Sequence, residues 1–160
     1  PEMFIDIIAP VMKKLKNTTA VMIGEGELRS SIEKKIKEYD LSDRIELLGF
    51  VNNPYPIIRE SKVMIMPSRW EGFGLVAVEA LSLGIPVICS NVGGLPGIVD
   101  DECGKICNTI DEYQHELKVL LSNDKYQSTK AKNALKKADE LDNTKVYFET
   151  LKGIYDEVVR

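Results

Sequence analysis

The stretch VMIMPSRWEGFGLVAVEALSLGIPVICS, residues 63–90, decides the fold. It opens on an apolar run, Val63 to Met66, stopped by Pro67 and Ser68, and closes on a second run, Val87 to Cys89, started by Pro86. Short apolar runs between turn residues read as strands buried on both faces. Between them Leu75, Val78, Glu79, Leu81 and Ser82 continue as a helix that Gly84 terminates. A strand, a helix and a strand in this order form a βαβ unit with parallel strands.

The same rhythm extends in both directions. Upstream, Thr19 to Ile23 reads as a strand stopped by Gly24-Glu25-Gly26, a helix follows over about 27–39, Ile45 to Leu48 is a strand closed by Gly49, and a short helix covers about 55–60. Downstream, Asn91-Val92-Gly93-Gly94-Leu95-Pro96 is a glycine-rich turn and Gly104 to Cys107 a last short strand. From about Asp111 the chain is helical in three pieces, the last from Val146 to Val158. Met3, Phe4, Ile7, Ile8, Val11, Met12 and Leu15 give an amphipathic first helix, in which Pro10 should kink or interrupt the hydrogen-bond ladder while the segment still reads as helix. The expected fold is α/β, a Rossmann-like doubly wound parallel sheet formed by residues 1–160 as a single domain. Such a sheet ordinarily opens with a strand, whereas this chain opens with a helix and without an initiator Met. It is therefore expected to be a fragment of a larger protein, lacking the first strand of its sheet.

Composition narrows the function. The 160 residues are 44% hydrophobic and 29% charged, enough for a real core and unlike disordered or collagen-like chains. Lys and Arg number 21 against 25 Asp and Glu, and a net charge of -4 argues against nucleic acid as a partner. No apolar run approaches the roughly 20 residues of a membrane span, no signal core follows the N-terminus, and a cytoplasmic location is expected. Cys89, Cys103 and Cys107 are an odd set in a chain large enough to fold without disulfides, and read as reduced, small apolar side chains. His115 stands alone in an acidic stretch, so neither a metal site nor a histidine-based triad is expected.

In open parallel sheets ligands bind beyond the carboxyl ends of the strands, so the turns there carry the chemistry. Gly24-Glu25-Gly26 is a GxG turn with Arg29 where a dinucleotide motif has its third glycine, and by itself it reads first as a plain tight turn before a helix. Gly72, Phe73 and Gly74 lie where a helix begins and leave backbone amides uncovered for a phosphate. Glu71 precedes that anion site and Glu79 follows eight residues along, a rise of about 12 Å if the segment is helical. Two acids so separated can accept hydroxyls from the two ends of one extended ligand whose phosphates the amides hold. The competing reading makes Glu79 a buried, paired structural acid and Glu71 a helix N-terminal charge. Trp70 is expected to pack rather than to face a ligand, and Phe73 to do either. The turn at Asn91 to Gly94 can approach the same ligand, and the strand end Leu48 to Val51 offers a surface for a planar base.

Together these residues resemble the nucleotide-binding C-terminal half of GT-B glycosyltransferases, in particular the retaining glycosyltransferase family 4. The motif P-S-x-x-E-G-F-G-x-x-x-x-E-A stands at Pro67 to Ala80, followed by Gly84-Ile-Pro-Val-Ile88 and the G-G-x-P turn Gly93 to Pro96. The I-G-x-G turn is at Ile23 to Gly26 and the L-G-F-V strand end at Leu48 to Val51. The resemblance implies a nucleotide-sugar donor as substrate, with Glu71 as the catalytic-site acid on donor-sugar hydroxyls and Glu79 on the ribose. The main chain of Gly72, Phe73, Gly74 and Leu75 would contact sugar and phosphate, Val51 and Asn53 the base, and Gly24 and Gly26 the first turn of the site. It implies no cofactor and no divalent metal, a reaction that retains anomeric configuration, and a role in polysaccharide or glycolipid assembly. It also implies an N-terminal acceptor domain outside this sequence, through which peripheral membrane contact would be made, so that the fragment alone is expected to be inactive. The family usually has Glu after G-G-x-P, where this chain has Gly97. The alternative is a noncatalytic α/β nucleotide-binding or receiver-like module, although the strand ends Gly24, Gly49, Pro67 and Ser90 lack a receiver's acidic cluster.

Overall fold

The computed structural model describes residues 1–142. Its first helix, α1 (Glu2–Lys14), buries Ile5, Ile8 and Met12 along one face, as their spacing requires. The helix runs on through Pro10, and the expected gap in its hydrogen-bond ladder falls at Asp6 O. Proline removes the amide that would have reached Asp6 O four residues back. Gln114 Nε2 donates to that carbonyl instead, at 3.1 Å, so a tertiary contact repairs a local defect.

Then follow β1 (Ala20–Ile23), α2 (Arg29–Glu38), β2 (Ile45–Gly49), α3 (Tyr55–Arg59), β3 (Met64–Met66) and α4 (Leu75–Ser82). The chain continues through β4 (Val87–Ser90), α5 (Leu95–Ile98), β5 (Gly104–Cys107), α6 (Ile110–Ser122) and α7 (Asp124–Leu141). All strand pairs are parallel, as expected. The sheet is in two parts, β1-β2 and β3-β4-β5, and β1 and β3 each bond to a single neighbour. Met22 and Ile65 nevertheless pack on the same core, so one core spans both parts of the sheet.

Strand β4 shows why the layer needs helices on both sides. Ile88 joins a core built with α1, α2 and α6, whereas its neighbours Val87 and Cys89 join one built with α4, α5 and α7. Alternate side chains of a strand point to opposite faces, and all of these are fully buried. Thr109 and Asn123 cap α6 and α7 by accepting from Glu112 N at 3.2 Å and Tyr126 N at 3.0 Å. The Tyr113 hydroxyl donates to Met66 O at 3.2 Å and lies 2.9 Å from Ser90 Oγ, tying α6 to the ends of β3 and β4. The three cysteines are buried and free. The third helical piece, Val146 to Val158, lies outside the described residues.

Candidate functional site

Because the strands are parallel, the turns after β1, β2, β3 and β4 leave the sheet at one edge. The turn after β3 is shaped by its glycines. Gly74 has φ +90°, a left-handed conformation that disfavours side chains, and α4 starts at the next residue. The turn after β4 lies flush against it: Gly94 N donates to Gly72 O at 3.0 Å. A Cβ on Gly93 would stand 1.7 Å from Glu71 O, and one on Gly94 2.4 Å from Phe73 O. The Gly93-Gly94 pair is thus required to buttress the loop that precedes α4. Among the described residues, the amides of Phe73, Gly74, Leu75 and Val76 donate to no protein acceptor. They form a patch of free donors at the positive end of α4.

Along the chain the two acids stand on either side of this patch. Glu79 is on α4 and Glu71 in the loop, both are half-buried, and among the described residues neither forms an ion pair. The reading of Glu79 as a buried, paired structural acid therefore fails. The 12 Å helical rise fails as well, since only Leu75 to Glu79 are helical, a rise of about 6 Å. Glu71 Oε1 accepts from its neighbour's amide, Gly72 N, at 3.1 Å. Glu79 Oε1 accepts from the Tyr55 hydroxyl at 3.2 Å. That hydrogen bond to Glu79 raises the Tyr55 pKa above the ordinary phenol value.

Tyr55 is a site neighbour that the sequence alone does not single out. A signal was present in Asn53-Pro54-Tyr55, a turn directly after the β2 strand end. Asn53, expected near a base, uses its side-chain oxygen to accept Tyr55 N at 3.3 Å, and Val51 is half-buried beside it in sequence. Trp70 does not pack: it is 83% exposed, and Phe73 and Leu75 are 63% and 65% exposed. Loop packing here is by main chain, through the two glycines, which leaves the large side chains outside. In the first turn Gly24 has φ +131° and donates to Gly49 O at 2.8 Å. Neither Gly24 nor Gly26 has any atom within 4 Å of a built Cβ, so that turn is open. Arg29 spans Glu25 at 2.8 Å, Glu33 at 3.1 Å and Leu47 O at 3.1 Å, a structural use of the position where a dinucleotide motif has glycine.

A shallow depression of about 290 Å³ beside Glu79 is lined by Tyr55, Val78, Glu79, Ser82 and Leu83. Another, between α1 and α6, is lined by Pro10, Lys14, His115 and Lys118 among others and includes no strand-end residue. Among the described residues no three His, Cys, Asp or Glu gather into a set able to hold a metal ion. No described helix is long and apolar enough to cross a membrane.

Residues 1–137 match the family model of glycosyl transferases group 1. The chain belongs to that family. One relative of this group 1 domain is the Campylobacter jejuni N-acetylgalactosamine-N,N'-diacetylbacillosaminyl-diphospho-undecaprenol 4-alpha-N-acetylgalactosaminyltransferase, 32% identical over 82% of this chain and 37% of its own. A second is the Escherichia coli UDP-Gal:alpha-D-GlcNAc-diphosphoundecaprenol alpha-1,3-galactosyltransferase, 30% identical over 91% of this chain and 38% of its own. The chain thus spans a little over a third of these relatives' length. Among solved structures, the C-terminal domain of a group 1 glycosyl transferase (LpcC) from Francisella tularensis superposes with a TM-score of 0.78 at 29% identity, over 87% of this chain and 77% of that one. The fold is that of the GT-B C-terminal half, as the resemblance implied.

Proposed function

We propose that this group 1 domain is the donor-binding half of a retaining glycosyltransferase. The observation that carries the reading is the pair Glu71 and Glu79, free of ion pairs among the described residues and standing along the chain on either side of amides, Phe73 to Val76, that have no acceptor among those residues. Carboxylates accept hydrogen bonds and donate none, so each suits a hydroxylated ring, while amides at a helix N-terminus suit a diphosphate. Glu79 takes the ribose and Glu71 the donor sugar. As the sugar–oxygen bond breaks, positive charge grows on the anomeric carbon and negative charge on the leaving diphosphate. The amides of α4 meet the second charge without needing to reorganise, and the Glu71 carboxylate lies on the side of the first. No metal is required by this arrangement.

The UDP-Gal in the Escherichia coli relative's name favours UDP as the nucleotide, and the undecaprenol in both names favours a lipid-linked acceptor. The acceptor site is assigned to sequence outside residues 1–160, and residues 1–160 alone are inactive in transfer. Free buried thiols suit a reducing compartment, in keeping with a cytoplasmic site. Calorimetry with UDP, GDP and ADP tests the reading. Binding of one of them that Glu79→Ala weakens at least tenfold is the expected result. No binding of any, or binding indifferent to Glu79→Ala, overturns it.

A further inference from the structure

We propose that Tyr55 is a positioning residue for Glu79, holding one carboxylate oxygen so that the other faces a ribose hydroxyl. The inference rests on the donor-site reading above. Glu79 reaches the site through three rotatable bonds and, among the described residues, has no cation to orient it. Its single side-chain partner is the Tyr55 hydroxyl, 3.2 Å from Oε1. A phenol is a suitable clamp: its ring has two torsions, and its proton can only be donated to a carboxylate, which has none to give. The clamp is itself fixed at its root. Tyr55 opens α3, Pro54 precedes it, and Asn53 Oδ1 accepts its amide at 3.3 Å. The side chains of Tyr55, Val78 and Leu83 then wall the depression beside the carboxylate. With Oε1 engaged, Oε2 keeps the lone pairs that a vicinal diol requires. The turn after β2 is thereby linked to α4 through one side-chain hydrogen bond, with no main-chain hydrogen bond between the two among the described residues.

The test measures affinity by calorimetry for whichever of UDP, GDP and ADP binds tightest, and for its 2′,3′-dideoxy counterpart. Wild type, Tyr55→Phe, Glu79→Ala and the double variant are compared. Loss of one hydrogen bond's worth of orientation predicts that Tyr55→Phe weakens the ribonucleotide by about 3–10-fold. The same variant leaves the dideoxy nucleotide unchanged, and adds no further loss once Glu79 is Ala. Tyr55→Phe indistinguishable from wild type, an equal loss for both nucleotides, or a full additional loss in the Glu79→Ala background each overturns the role of Tyr55 while leaving the donor site intact. Absence of binding by wild type to all three nucleotides overturns the donor site and the clamp together.

Discussion

Gly94→Ala isolates the contact between the two glycine turns. Gly94 has φ −77° and ψ −13°, which alanine adopts freely, so the substitution carries no backbone strain. Its effect is steric. The new methyl would lie 2.4 Å from Phe73 O and 2.9 Å from Gly72 O, against roughly 3.3–3.6 Å for a carbon–oxygen contact. The two turns must part by about 1 Å, which lengthens the 3.0 Å bond from Gly94 N to Gly72 O beyond hydrogen-bond range. Overpacking of about 1–3 kcal/mol and a lost hydrogen bond of about 0.5–1.5 kcal/mol sum to roughly 2–4 kcal/mol. At about 2–4 °C per kcal/mol for a chain of this size, the melting temperature falls by roughly 4–16 °C. The loop that moves carries Glu71 and the free amides, so on the donor-site reading nucleotide affinity falls as well, by at least about tenfold. Gly97→Ala is the control, since nothing lies within 4 Å of its Cβ. Placed in α5, it should be neutral or slightly stabilising. Calorimetric melting and nucleotide titration of both variants decide the matter. A Gly94→Ala protein that melts within about 1 °C of wild type and binds equally well would refute the buttress.

Three further outcomes follow from the buried polar groups. Lys130 is 5% exposed and donates to Asp101 O and Gly104 O, with Glu116 at 3.9 Å. Lys130→Ala strands those acceptors and should cost about 3–5 kcal/mol in denaturant unfolding. Partial burial opposes the Asp100 carboxylate, but the Lys137 ammonium at 2.7 Å and the amides of Cys103 and Glu102 outweigh it and hold the pKa at about 2, below the ordinary 3.8. A depressed acid stabilises the fold above its unfolded pKa, so this contribution is complete above about pH 4 and is lost as pH falls toward 2; Asp100→Asn should flatten the acid limb of stability against pH. Burial pushes the Cys89 and Cys107 thiols up to about 12, so a thiol-directed disulfide reagent should label the chain only after denaturation. Rapid labelling under native conditions would contradict the packing.

Strand β4 is legible because its signal is local: a continuous apolar run between a proline and a glycine turn, as a strand buried on both faces requires. The acids of the site were legible because the motif frames them with the glycines that the loop needs. What escaped was decided by partners distant in sequence. Pro10 reads as a gap in a helical ladder, and nothing near it in sequence reports that Gln114 fills the gap at Asp6 O. Trp70 reads as a packing residue, whereas its loop packs by main chain against Gly93 and Gly94 and leaves the indole 83% exposed. Tyr55 reads as an ordinary helix residue because its partner, Glu79, is 24 residues away on another element. Periodicity reports which face of an element is buried, and nothing in it reports which side chain of another element arrives there.

The position of Glu71 poses an electrostatic problem that yields a last prediction. Two unit charges of like sign 4 Å apart repel by about 1 kcal/mol in water and about 4 kcal/mol at an effective dielectric of 20. A helix N-terminus returns about 0.3–1 kcal/mol to an anion, up to about 2 when partly buried. A carboxylate next to a diphosphate therefore works against the amides, unless a hydroxylated ring stands between the two charges and hydrogen-bonds to the acid. Glu71 Oε1 also occupies the Gly72 amide, at 3.1 Å, which removes one donor from the array. Glu71→Gln removes the repulsion, keeps the shape, and retains a weaker acceptor. On the donor-site reading, a nucleoside diphosphate without sugar should bind this variant as tightly as wild type or up to about tenfold more tightly, a gain of about 1.4 kcal/mol. The matching nucleotide sugar should gain nothing, because the relief is offset by the poorer acceptor for its hydroxyls. The informative quantity is the ratio of the two affinities, measured on the same protein by calorimetry. If Glu71→Gln weakens both ligands equally, the carboxylate acts by holding the loop rather than by meeting the sugar.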